Sequence, residues 1–139
     1  MVGLIVGKEG KGKTRQLLER VNEDIKTASG NIVYLDRSTK HMFELNNRVR
    51  LVNVGDYNFE NSSEFIGFVY GIISQDHDMQ KVYIDGIMKV AKLSKDEVTA
   101  TIKRIEAIGN EHNVDFIMSI SANKEDLDDS IQENIILAL

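Results

Sequence analysis

The stretch Gly3-Leu-Ile-Val-Gly7-Lys-Glu-Gly10-Lys-Gly12-Lys-Thr14 decides the fold of this chain. Its residues 4–6 are a short apolar run of the kind that forms a buried parallel strand. The three glycines that follow allow a tight backbone turn. From Thr14 onward, apolar residues recur with the period of a helix. The stretch therefore predicts a strand, a glycine-rich turn and a helix in direct succession.

The rest of the chain continues this alternation. Further strands are predicted at residues 32–35, 49–54, 81–85, 114–120 and 134–139, the last of them at the sheet edge. Helices are predicted at 14–28, at 64–74 and from the capping box Ser94–Glu97 to about residue 111, with a weaker short helix within 38–47. The order predicts an α/β fold: a mainly parallel sheet of five or six strands with helices on both faces, in a single domain spanning residues 1–139.

Glycine and serine residues mark the predicted helix ends. Gly30 is the predicted residue just beyond the first helix, and Ser62 or Ser63 the predicted N-terminal cap of the second. Within the second helix, Gly67 and Gly71 predict close packing against the sheet. The alternative is a subunit interface on the same helix, since aromatic residues favour interfaces and this helix carries Phe65, Phe68 and Tyr70.

Residues 7–14 also fit the pattern G-x-x-x-x-G-K-T of a phosphate-binding loop. Amide groups of the glycine-rich turn and of the helix N-terminus bind phosphate oxygens. In such a loop, Lys13 reaches the β- and γ-phosphates and the Thr14 hydroxyl binds Mg²⁺. The alternative is a strand-to-helix turn that binds nothing. The predicted nucleotide-binding residues are Gly7, Lys8, Glu9, Gly10, Lys11, Gly12, Lys13, Thr14 and Arg15.

A second motif is Val82-Tyr-Ile-Asp85, an apolar strand that ends in a carboxylate. Such an acid holds Mg²⁺, usually through a water, opposite the hydroxyl of the loop. Thr14 and Asp85 are therefore the predicted metal ligands. The alternative is an acid at an ordinary strand end. Because ligands of open parallel sheets bind beyond the carboxyl ends of the strands, we expect Asp36, Asp85 and residues 119–123 to lie beside the loop.

Residues 7–14 and 82–85 together resemble the P-loop NTPase superfamily. A further strand between the two motifs resembles its RecA-like and AAA-like branch, and the chain is similar to short bacterial P-loop ATPase-like proteins. The resemblance implies ATP and Mg²⁺ as cofactors, with Ser119 or Ser121 sensing the γ-phosphate. One departure is Gly86, where that branch commonly has a glutamate that activates water. Asp36 either substitutes for that glutamate or is merely an acid in a turn. The predicted catalytic residues are Lys13, Asp85 and Asp36.

The segment Asn123-Lys-Glu-Asp126 indicates a different specificity. It matches N-K-x-D, with which GTPases read guanine, and it follows a predicted strand. No D-x-x-G switch motif accompanies it. The alternative is a polar loop with an Asn or Asp helix cap.

Composition excludes several classes of function. A net charge of −5 argues against general nucleic-acid binding, and 42% hydrophobic residues suit a folded core. The chain has no cysteine, which excludes disulfides, thiol catalysis and cysteine-bound zinc. The apolar run 65–73 is too short to span a bilayer, and no signal peptide is recognisable. We therefore expect a cytoplasmic protein with no membrane partner.

These observations favour a protein that binds Mg-ATP and hydrolyses it slowly. Two alternatives remain at this stage. One is a non-hydrolysing module whose nucleotide state controls a protein partner or self-assembly, and the other is a small GTPase-like switch that uses residues 123–126.

Overall fold

A computed structural model describes all residues, 1–139. It contains one six-stranded sheet in which every neighbouring pair of strands is parallel. The strands are β1 (Val2–Gly7), β2 (Asn31–Asp36), β3 (Arg50–Asn53), β4 (Met79–Ile84), β5 (Asp115–Ser121) and β6 (Ile135–Ala138). The helices are α1 (Lys13–Thr27), α2 (Ser62–Ser74), α3 (Ile87–Val90) and α4 (Val98–His112). The predicted α/β class and parallel sheet are confirmed.

The strand order is β3-β2-β4-β5-β1-β6, so β5 lies between β1 and β4. The outermost strands are β3 and β6, and the predicted last strand does lie at an edge. All six residues of β1 are buried, as expected for a central strand covered on both faces. Because the strands are parallel, the residues that follow β1, β2, β4 and β5 all emerge at one edge of the sheet.

Helices cover both faces of the sheet, as predicted. On one face, α1 packs through Leu17, Leu18, Val21 and Ile25 in a cluster of 10 buried residues. On the other face, α2, α3 and α4 contribute to a cluster of 27 buried residues. The apolar stripe of each helix thus meets a sheet whose strands are apolar on both sides.

Several helix ends differ from the sequence prediction. The cap of α2 is Asn61, whose side chain accepts a hydrogen bond from the Glu64 amide at 3.0 Å, and not Ser62 or Ser63. The first helix ends at Ala28 in an extended conformation, without a left-handed glycine. Gly30 is needed for another reason, because a Cβ there would lie 2.2 Å from the backbone oxygen of Asp78.

The prediction for the two α2 glycines was wrong. Gly67 and Gly71 are exposed, and a Cβ on either would meet no atom within 4 Å. They therefore do not pack against the sheet. The capping box was correct, since the Ser94 and Glu97 side chains satisfy each other's backbone amides. The weak helix at 38–47 is a single 3₁₀ turn, Met42–Glu44.

None of the four helices combines the length and the apolar character that crossing a bilayer requires.

Candidate functional site

A cleft of about 960 Å³ opens at the carboxyl edge of the sheet. It is lined by the glycine-rich turn before α1, the turn after β2, the residues after β4 and the end of β5. Lys13, Thr14, Asp36, Asp85 and Ser119 all line it. The fold thus brings together candidates that lie up to 106 positions apart, from 13 to 119, in the sequence.

The turn between β1 and α1 depends on left-handed glycines. Gly10 has φ of 80° and Gly12 has φ of 93°, a region that side chains with a Cβ rarely adopt. Gly12 is the N-cap of α1 and no side chain caps this helix end. The first amides of α1 are therefore left to bind a ligand, and anions bind well at such ends.

Lys13 is folded over this turn. Only 9% of the residue is exposed, and its Nζ donates to the backbone oxygen of Lys8 at 2.9 Å. Burial lowers the pKa of the Lys13 ammonium, while the charges of Glu9 and Asp85 act to raise it. The one hydrogen-bond partner of the ammonium is thus an uncharged carbonyl oxygen.

An ion pair joins the turn to the short helix α3. The Lys89 Nζ lies 2.9 Å from Glu9 Oε1, and this contact lowers the pKa of the Glu9 carboxyl. Both side chains line the cleft. The lysine neutralises an acid that would otherwise oppose anion binding. Sequence reasoning missed Lys89, although a cation four positions after Asp85 was a usable signal.

The Asp85 carboxylate accepts hydrogen bonds from three hydroxyl groups. Oδ1 accepts from Thr14 Oγ1 at 3.1 Å and from Ser119 Oγ at 3.4 Å. Oδ2 accepts from the Tyr34 hydroxyl at 3.0 Å. Ser119 in turn accepts from the Gly86 amide at 2.7 Å, which ties the end of β5 to the residue after β4. Thr14 and Asp85, the predicted metal ligands, are thus adjacent.

Sequence reasoning also missed Tyr34. It is fully buried in β2, and burial followed by the charge of Asp85 raises its pKa. The signal that could have identified Tyr34 was the alternation of side chains along a strand, because residues two apart point to the same face. Tyr34 and Asp36 therefore share a face, and so do Tyr83 and Asp85 on the neighbouring strand.

Asp36 lies in the same cleft in an unusual environment. The residue is 9% exposed, its Oδ1 accepts from the Arg37 amide at 2.7 Å, and its Oδ2 is buried without a hydrogen-bond partner. Burial raises the pKa of this carboxyl, and the charge of Asp85 adds to the effect. A carboxyl with a raised pKa accepts a proton more readily, but the unpartnered oxygen of Asp36 is itself buried.

Not every predicted residue reaches the cleft. The Arg15 side chain is exposed and pairs with Glu19 at 3.0 Å, one turn along α1. Neither Lys11 nor Gly7 lines the cleft. Gly7 instead provides space, because a Cβ there would lie 3.1 Å from Leu139 Cβ.

The guanine-type motif lies in a different place. Asn123 and Asp126 line a second cavity of about 240 Å³ together with Lys8, and neither lines the main cleft. The two cavities share Met88 and Ser121. The Asn123 side chain does not cap the 3₁₀ turn that follows it. Recognition of guanine by these residues stays a prediction.

The donor set of the cleft fits Mg²⁺. Thr14 Oγ1 and Asp85 Oδ1 are 3.1 Å apart, close to the roughly 3 Å between neighbouring ligands of an octahedral Mg²⁺. No group of three or more His, Asp or Glu side chains that could hold a metal is present. Mg²⁺ is commonly bound by one or two carboxylates plus groups of the substrate, and one hydroxyl with one carboxylate is a set of that size.

Comparison of the sequence with known proteins found no matching family model and no match among curated proteins. The chemistry of the cleft therefore carries the functional argument.

Proposed function

We propose that this protein is a P-loop NTPase that binds a magnesium nucleoside triphosphate, ATP first, and hydrolyses it slowly. The observation that carries the proposal is the 3.1 Å contact between the Thr14 hydroxyl and Asp85. Thr14 opens the helix behind a glycine-rich turn, and Asp85 follows an apolar strand. Their contact at the carboxyl edge of the sheet supports the interpretation that the two motifs form one site.

The turn and the helix would bind the phosphates. The amides at the start of α1 have no capping side chain, and they would donate to phosphate oxygens. On binding, the Lys13 ammonium would leave the Lys8 carbonyl and donate to the β- and γ-phosphates. Their negative charge makes them stronger acceptors for a buried ammonium. Arg37, which also lines the cleft, supplies further positive charge, and Lys89 offsets the negative charge of Glu9.

Thr14 and Asp85 would hold Mg²⁺, with the Asp85 contact direct or through a water. When bound, the ion would neutralise phosphate charge. Ser119 lies against Asp85 at the end of β5. Its hydrogen bond to that carboxylate would change when Asp85 binds the ion. The position of β5 between β1 and β4 supports the resemblance to the RecA-like and AAA-like branch.

Hydrolysis requires a water that attacks the γ-phosphorus while the bond to the β,γ-bridging oxygen breaks and its electron pair leaves with the diphosphate. The water proton must pass to a base or to the phosphate itself. Gly86, beside Asp85, has no side chain to accept it. Of the other carboxyls that line the cleft, Glu9 is paired with Lys89, and Asp36 has an unpartnered oxygen that is buried. We therefore expect turnover well below the roughly 1–100 s⁻¹ of kinases.

The second candidate is a nucleotide-dependent module that does not hydrolyse its ligand. The burial of Asp36 Oδ2 favours it, because a base must reach the attacking water. In that case the bound nucleotide would control a protein partner or self-assembly.

Calorimetric titration with ATP and with GTP, each with Mg²⁺, tests binding. Steady-state phosphate release by the wild type, Asp85→Asn and Asp36→Asn, at several protein concentrations, tests turnover. We expect saturable ATP binding, weaker magnesium-dependent binding for Asp85→Asn, and slow release by the wild type. Release that falls further in Asp36→Asn would identify Asp36 as the base. Release that is absent in the wild type favours the non-hydrolysing module. Absence of saturable binding by either nucleotide would overturn the proposal.

A further inference from the structure

We propose that Tyr34 is a positioning residue for the metal site, and that its hydroxyl turns Asp85 so that Oδ1 faces Thr14. This inference rests on the proposed function, since it assigns Asp85 to magnesium. It adds a residue from β2 that neither motif contains.

The orientation of Asp85 has to be set by its neighbours. The last torsion of an aspartate side chain joins sp³ and sp² carbons and has no sharp staggered minima. The two oxygens of Asp85 are nevertheless assigned to different partners. Tyr34 donates to Oδ2 at 3.0 Å, whereas Thr14 and Ser119 donate to Oδ1 at 3.1 and 3.4 Å.

The hydrogen bond from Tyr34 leaves Oδ1 available to a cation or to its water. A hydroxyl has two lone pairs and one O–H, so Thr14 could bind Mg²⁺ and still donate to Asp85. The Tyr34 hydroxyl donates to the other oxygen, Oδ2, which does not have to face the ion. Tyr34 therefore holds the carboxylate both before and after the ion binds.

Tyr34 is itself held firmly. It is 0% exposed on β2, which pairs with β3 on one side and β4 on the other. Its ring stacks on that of Tyr83, with centroids 6.2 Å apart and planes inclined by 13°. Because both rings are buried between sheet and α1, the position of the Tyr34 hydroxyl is fixed by packing. Groups outside the direct metal ligands commonly act in this way, and their loss lowers metal affinity about 10–100-fold.

The stacked pair supplies a matched control. Tyr83 is also 0% exposed, but its hydroxyl donates to Asp24 on α1, which Lys81 also contacts. Tyr34→Phe and Tyr83→Phe each remove one buried hydroxyl and keep the ring. Tyr34→Phe loses the contact to Asp85, and Tyr83→Phe loses the contact to Asp24, which lies outside the cleft.

The test measures ATP affinity by calorimetry with Mg²⁺ and with EDTA, in the wild type and both variants. For Tyr34→Phe we expect the gain in affinity on adding Mg²⁺ to fall about 10–100-fold, with affinity in EDTA almost unchanged. Tyr83→Phe should keep the wild-type gain. In the Asp85→Asn background, Tyr34→Phe should have little further effect, because the two residues act through one interaction.

Equal magnesium gains for Tyr34→Phe and Tyr83→Phe would overturn the inference. So would an equal loss of affinity with and without Mg²⁺, which indicates general damage to the cleft. A wild type that binds no ATP under either condition would instead overturn the proposed function. Thermal unfolding of each variant verifies that it is folded at the temperature of the titration.

Discussion

Replacing Lys13 by alanine tests the phosphate loop directly. The Lys13 ammonium is buried and donates to a single backbone oxygen, that of Lys8, at 2.9 Å. In the bound state this ammonium would instead meet the β- and γ-phosphates. The substitution removes that contact and leaves the left-handed glycines of the turn unchanged.

The expected magnitude follows from what the ammonium contacts in each state. A hydrogen bond to a charged group contributes about 1.5–3 kcal/mol, which corresponds to a loss of about 10- to 150-fold in ATP affinity. The cost to the ligand-free fold is limited. The lost hydrogen bond to Lys8 also has a charged donor and contributes about 1.5–3 kcal/mol, but the Lys8 carbonyl belongs to an exposed residue that water can reach. Removing a buried charge offsets part of this cost.

Lys11→Ala is the matched control, since it removes a positive charge from the same loop. Lys11 is exposed and does not line the cleft. We expect its ATP affinity to stay within a few-fold of the wild type, because exposed charges are strongly screened. Calorimetry with Mg-ATP at 25 °C, together with thermal unfolding, measures both effects. If a folded Lys13→Ala variant binds ATP as well as Lys11→Ala does, Lys13 does not contact the phosphates.

Four further substitutions test the cleft and the fold. The raised pKa of Asp36 means that its ionised form destabilises the folded state at neutral pH, a cost that fades as pH falls toward 3.8. Asp36→Asn should therefore raise the melting temperature at pH 7, and by less near pH 4. Gly30→Ala should destabilise by about 1–3 kcal/mol because its Cβ meets a backbone oxygen, whereas Gly67→Ala should stabilise by up to about 1 kcal/mol. Asp126→Ala should leave the ratio of ATP to GTP affinity unchanged, since Asp126 does not line the main cleft.

Each of these outcomes has a clear contrary result. A pH-independent gain in Asp36→Asn would mean that the carboxyl charge is not the cause. Chemical denaturation that ranks Gly67→Ala below Gly30→Ala would contradict the packing described for the two sites. A GTP preference in the wild type that disappears in Asp126→Ala would establish guanine recognition by residues 123–126.

The local features of the fold were predictable from sequence. The strand, turn and helix of residues 2–27 and the capping box at Ser94 and Glu97 follow from periodicity and from the chemistry of a few adjacent residues. The prediction for Gly30 had the correct residue but the wrong reason. Its neighbour Asp78 is 48 positions away, so no local pattern contains that contact.

The sequence by itself determined the fold class, the glycine-rich turn and the separate candidates Thr14, Asp36 and Asp85. Each of these depends on residue types within about ten positions, which is the range over which backbone propensity and turn chemistry act. Only the tertiary structure decided which candidates meet. The order of the strands places β5 between β1 and β4 and joins Thr14 to Asp85 across 71 positions. It also brings the Tyr34 hydroxyl to Asp85 and leaves Asn123 in a separate cavity. Strand order is set by which apolar faces pack together across the whole chain. No single segment contains that balance of contacts, so it cannot be predicted from local sequence.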